Sequence, residues 1–157
     1  MSPLVSPSPV RGVAPWIRLV RATPAGYSAS GPRGRVGTPR TAAHAVADLR
    51  GEDVEVLVVL VLDAQHKIIA RAEVTRGLVN ASLVHPREVF RLAIALGGSS
   101  VIVAHNHPSG DPTPSAEDRT VTAQMVAAGR ILDIPVHDHI IVAGDVAYRS
   151  FAEDGAL

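Results

Sequence analysis

The chain has 157 residues, enough for one domain and too few for two ordinary ones. It has no cysteine, which excludes a disulfide framework, a thiolate zinc cluster and a cysteine nucleophile, and no apolar run reaches membrane-span length, so a soluble, cytoplasmic protein is expected. The net charge of zero hides an asymmetry: residues 1–40 hold six arginines, seven of the twelve prolines and no acid, whereas residues 41–157 hold nine bases and fifteen acids.

Residues 1–37 therefore read as a basic, proline-broken arm that cannot bury enough apolar surface to offset its ordering entropy. It lacks the apolar core of a signal peptide, and its prolines oppose the helix of a transit peptide. A solvated tail is one reading, and a weak nucleic-acid contact through arginine–phosphate pairing is another.

The domain is expected over residues 38–157. Thr38 as N-cap and Pro39 at the first position open a helix that Gly51 stops, with Ala42, Ala43, Val46, Ala47 and Leu49 at helical spacing. Residues 55–62 form a β-branched run that reads as a buried strand. A turn at residues 63–66 leads to a partner strand over 67–75, and a short strand is expected over 78–84. Pro86 begins a second helix with Val89, Phe90, Ala93, Ile94 and Leu96 on its apolar side, ended by Gly97 and Gly98. A short strand over 100–104 precedes a polar, proline-rich loop over 105–114. Residues 115–132 form a third helix, with Val121, Met125, Ala128 and Leu132 at three- and four-residue spacing, and strands follow over 134–143 and 147–151. An early hairpin and a late β-α-β crossover predict an α/β fold, a mixed sheet covered by helices. With few aromatics, its core must be built from Val, Leu, Ile and Ala.

The chemistry concentrates in residues 103–118. His105 and His107 are two apart, so a strand that continues through them projects both imidazoles from one face. Ser115, directly after Pro114, is a natural N-cap, and Asp118 then sits in the first helical turn near the positive end of the helix dipole. Two histidines and one aspartate supply three ligands. Such a set leaves one tetrahedral position for water, the arrangement of a catalytic zinc site, and all-N/O ligation suits zinc better than magnesium or calcium.

The spacing His105-x-His107, seven residues, Ser115, two residues, Asp118 resembles the JAMM (MPN+/JAB) metalloprotease signature. The wording around it is similar to RadC-family proteins: residues 105–112, 86–90 and 138–141, with Leu62-Asp63, residues 77–80 and Ser150-Phe151. The resemblance spans about residues 38–155. It implies a three-layer α/β/α domain related to the cytidine-deaminase fold, holding one zinc per chain on His105, His107 and Asp118. It implies hydrolysis of peptide or isopeptide amide bonds in a peptide or protein substrate. A glutamate at the head of the first strand is implied as general acid/base; Glu55 matches, with Glu52 and Glu73 as competitors. Ser115 is implied to hydrogen-bond the developing oxyanion. The helical, DNA-associated region typical of RadC proteins is replaced here by the basic arm. The alternative is therefore a DNA-repair-associated accessory protein with a structural metal.

Three further residues are expected to steady the ligands from behind. Asn106 points to the opposite strand face and fixes the loop, Asp138 orients a ligand imidazole, and His139 packs or hydrogen-bonds behind the centre. Asp111 reads as a turn former, and His44, His66 and His85 as surface residues.

Overall fold

A computed structural model describes residues 34–77, 82 and 84–157. The basic segment up to residue 33 and most of the strand expected over 78–84 lie outside these residues.

Five strands form one mixed sheet in the order β2-β1-β3-β4-β5. They are β1 (Val56–Leu62), β2 (Ile68–Arg76), β3 (Ser100–His107), β4 (Val136–Ala143) and β5 (Ala147–Ser150). β1 runs antiparallel to both β2 and β3, β3 is parallel to β4, and β5 returns antiparallel to β4. All seven residues of β1 are buried, because helices cover both faces of the sheet. Val56, Val58, Leu60 and Leu62 pack with Ile102, Ala104, Ile140 and Val142 beneath α1 (Pro39–Ala45). Leu57, Val59 and Val61 pack with Val101 and Val103 beneath α2 (Pro86–Leu96) and α3 (Ala116–Leu132). The result is a three-layer α/β/α domain. Each fully buried Val or Leu contributes about 1.5–3 kcal/mol relative to exposure, which is what holds the two faces together.

The first helix is shorter than its periodicity suggests. It ends at Ala45, and a 3-10 helix over Ala47–Gly51 follows the cap residue Val46. The break lets Val46 and Leu49 both enter the core while Asp48 turns outward to pair with Arg71 at 2.7 Å. β3 continues three residues past the expected end at Ala104, because the ladder to β4 runs on to His107↔Ala143. β4 starts at Val136 rather than 134, since Pro135 has no N–H to give; its carbonyl accepts from Val101 N at 3.0 Å. The arm boundary expected at residue 37 also moves. Gly34 and Val36 already exchange backbone hydrogen bonds with the end of the β1–β2 turn, and Val36 is buried. A single bridge has no periodicity, so the composition of the arm masked it.

Candidate metal centre

The β3–α3 connection is short and internally braced. Asp111 Oδ1 accepts from Thr113 N at 2.9 Å and Thr113 Oγ1 at 2.7 Å, the turn-forming role expected of it. Ser115 caps α3 through a reciprocal box: its Oγ accepts from Asp118 N at 3.0 Å, and Asp118 Oδ2 accepts from Ser115 N at 2.8 Å. The cap that starts the helix therefore also fixes the Asp118 carboxylate. Because β3 runs on through residue 107, His105 and His107 share the face that α3 covers.

Two imidazole nitrogens and both oxygens of one carboxylate converge there. His105 Nε2 lies 3.0 Å from His107 Nε2 and 3.1 Å from Asp118 Oδ1, and His107 Nε2 lies 3.3 Å from Asp118 Oδ2. Tetrahedral bonds of about 2.0–2.1 Å place neighbouring donors about 3.3 Å apart, so the triangle of these three residues has nearly the spacing of ligands to one zinc. His105 and Asp118 are almost fully buried, and His107 is partly exposed. His107 Nδ1 donates to Asp111 O at 2.8 Å, which turns Nε2 toward the other two. Lone pairs cannot crowd this closely unaided; a proton or a cation must lie among them. Hydrogen bonding to Asp118 accordingly raises the His107 pKa above its ordinary value, against the cost of burial. Burial would push the Asp118 carboxyl up, but the two imidazoles beside it outweigh that and hold it far below the carboxylate range. His105, His107 and Asp118 are the one group of this kind among the described residues that could hold a metal ion.

Of the other expected site residues, Glu55, Asn106 and His139 lie around this triangle. In the β1–β3 ladder Leu57 opposes His105; carried two pairs beyond that end, the same register would set Glu55 opposite His107, on the same sheet face. The Glu55 charge acts on His107, raising its pKa, after the larger effects of Asp118, burial and the Asp111 carbonyl. The competitors are engaged elsewhere: Arg76 binds Glu52 at 2.6 Å and Glu73 at 2.8 Å. Asn106 is buried on the opposite face. Its Oδ1 accepts from Val56 N at 2.8 Å, and its Nδ2 donates to Val54 O at 2.9 Å, so it clamps the two residues that flank Glu55.

His139 and Asp138 divide differently from the expectation. Asp138 does not orient a ligand ring. Strand alternation turns it to the α1 face, where its carboxylate accepts from Ser150 Oγ at 2.6 Å, His139 N at 2.7 Å and Ala152 N at 3.0 Å. Desolvation raises its pKa, partly offset by those hydrogen bonds. The imidazole of His139 instead meets His105 Nδ1 at 2.9 Å, with its own Nδ1 2.6 Å from Thr122 Oγ1. Burial pushes the His139 pKa well below its ordinary value. Thr122 escaped the sequence reading. Its signal was the i,i+4 spacing from Asp118 on one helix face, which is informative only once that face is known.

Beside His107 an open cleft of about 650 Å³ is lined by Arg50, Glu52, Asp53, Pro108, Gly110 and Asp145, among others. Of the three ligand residues His107 alone lines this cleft; His105 and Asp118 lie buried.

Fold and site together define a three-layer α/β domain with a His-x-His…Asp centre at the junction of a strand and a helix N-terminus. The family model of the RadC-like JAB domain matches residues 36–156, and the chain belongs to that family. It is 52% identical over 99 residues to a UPF0758 protein of Symbiobacterium thermophilum, covering 63% of this chain and 42% of that one. It is 48% identical over 103 residues to a UPF0758 protein of Thermotoga maritima, covering 66% and 46%. A UPF0758 protein of Clostridium perfringens matches over 124 residues at 41% identity, covering 78% and 54%. The chain spans about half the length of the curated relatives it matches. Among the described residues no helix is long and apolar enough to cross a membrane.

Proposed function

We propose that this domain is a zinc-dependent hydrolase of peptide or isopeptide amide bonds. The observation that carries the reading is the convergence of His105 Nε2, His107 Nε2 and the two Asp118 carboxylate oxygens at 3.0–3.3 Å, with His107 on an open cleft. A structural zinc site is closed by four protein ligands, whereas three ligands, one of them on a cleft, suit catalysis. That favours an enzyme over an accessory protein with a structural metal.

Zinc held by these three residues would supply Lewis acidity and lower the pKa of water at the site. The residues of the chain do the rest. Glu55, across from His107, takes the proton from the attacking water and returns it to the leaving amine. Ser115 Oγ accepts the helix-capping bond from Asp118 N, which leaves its hydroxyl proton to donate to the carbonyl oxygen as negative charge develops there. The cleft lined by Glu52, Asp53 and Asp145 admits the polypeptide.

Two measurements test the reading. Metal analysis of the full chain is expected to find one zinc per chain, lost in His107→Ala. A peptide-library digest is expected to show cleavage by the wild type that falls about 10²–10⁴-fold in Glu55→Gln with zinc retained. A metal-free wild type would sink the proposal. Full activity in Glu55→Gln, with Glu73→Gln inactive, would move the acid/base role to the other glutamate.

A further inference from the structure

Behind the metal centre a chain of hydrogen bonds returns to its own starting residue. Thr122 Oγ1 lies 2.6 Å from Asp118 O and 2.6 Å from His139 Nδ1. A hydroxyl has one proton. Two oxygens at that separation repel unless the proton lies between them, so the Thr122 proton goes to the Asp118 carbonyl. Thr122 Oγ1 can then only accept, and His139 Nδ1 must carry the hydrogen that it accepts.

His139 is 1% exposed, and among the described residues its ring hydrogen bonds reach only Thr122 and His105. With no carboxylate bonded to it, the buried ring is neutral, and its Nε2 is a bare lone pair. That lone pair faces His105 Nδ1 at 2.9 Å, so His105 Nδ1 must donate. Its Nε2 is thereby left as the lone pair aimed at His107 and Asp118. Phe151 stacks on the His139 ring with centroids 4.9 Å apart and planes 15° from parallel, which holds the ring against rotation.

We infer that Thr122 and His139 are positioning residues that lock His105 in its Nδ1–H tautomer and so set the atom it offers to the ion. The inference rests on the metal-site reading above, but its first test does not need hydrolysis. The relay begins at the backbone carbonyl of Asp118, a ligand, and ends at His105, another ligand. It therefore ties two ligands on different elements to one geometry. A threonine four residues after the ligand aspartate, rather than a carboxylate, stands behind His139; a neutral relay leaves the charge of the centre unchanged.

The test uses the full chain. Nitrogen-15 imidazole spectra of the metal-free wild type at neutral pH are expected to show Nδ1–H tautomers for both His139 and His105. An Nε2–H tautomer at His105 would overturn the inference, whatever the domain's activity. Zinc affinity is then measured by chelator competition for Thr122→Val and Thr122→Ser. The valine is isosteric and lacks the hydroxyl; it is expected to weaken zinc binding about 10–100-fold. The serine keeps the hydroxyl and is expected to stay near wild type. The cobalt-substituted spectrum should shift in the valine variant and not in the serine one. Folded Thr122→Val with wild-type affinity would overturn the relay. If the valine does not fold, serine at wild-type affinity with the tautomers as assigned supports it, and serine losing affinity despite its hydroxyl overturns it. A wild type that binds no zinc would sink the proposed function and, with it, the relay's role toward the ion.

Discussion

Replacing Asn106 with alanine removes the clamp on the strand that presents Glu55. Three backbone groups lose their partner: Val56 N–H at 2.8 Å, Val54 C=O at 2.9 Å and Glu52 C=O at 3.4 Å. They do not count equally. Val56 is 1% exposed, so its N–H has no access to water, and leaving it unsatisfied costs about 1–3 kcal/mol. Val54 is 43% exposed, so water replaces the amide at its carbonyl for about 0.5–1 kcal/mol. The bond to Glu52 is long and adds little. The expected loss is about 2–3 kcal/mol. At the urea slope of about 1–3 kcal/mol/M typical of small domains, the unfolding midpoint should fall by about 1 M with the slope unchanged. Asn106→Asp should do no better, because it turns a carboxylate oxygen toward two carbonyls in place of an N–H donor. Zinc affinity should hold in both, since the ligands lie on the other face of β3, while any hydrolysis should drop as residues 52–56 loosen around Glu55. A midpoint within about 0.2 M of wild type, or an aspartate variant as stable as wild type, would refute the reasoning.

Gly129→Ala should destabilise by about 1–3 kcal/mol in thermal or urea unfolding, since its Cβ would sit 2.6 Å from Ile134 O, a backbone atom, and 3.2 Å from Phe90 Cζ. Ser115→Ala should cost about 0.5–2 kcal/mol through loss of the α3 cap; because Asp118 Oδ2 still accepts from Ser115 N, zinc should bind within a few-fold of wild type. Asp138→Asn tests the buried carboxyl. Burial raises its folded pKa above the ordinary 3.8, so its contribution to stability is full below that value and is lost as pH rises through the raised one. Wild type should therefore lose stability relative to Asp138→Asn as urea curves move from pH 3 toward neutrality, and a difference that runs the other way would show that the hydrogen bonds from Ser150, His139 and Ala152 outweigh desolvation.

The ligand set was legible because it is local. His105, His107, Ser115 and Asp118 lie within one strand–loop–helix segment, where a two-residue repeat, a capping box and stiff prolines limit the relative placement of their side chains. The buried run of β1 and the apolar stripes of α2 and α3 were legible for the same reason: their period is written along a single element. The break of the first helix at Val46 was not, because it answers to what Val46 and Leu49 find beneath the sheet rather than to helix propensity. Nor was the split between residues 138 and 139. Alternation says that they face opposite ways, but which of them faces α3 depends on the parallel register that pairs Val103 with His139. The same dependence governs everything that reaches the centre from a distance. Glu55 is carried toward His107 by the β1–β3 register, Asn106 reaches back across about fifty residues to Val54 and Val56, and His139 approaches His105 from thirty-four residues away. Hydrogen-bond partners so far apart along the chain are chosen by strand order and register, and those are set only when both faces of the sheet are buried at once. The sequence by itself determined which atoms could bind a metal; only the tertiary structure decided which groups stand behind and beside them.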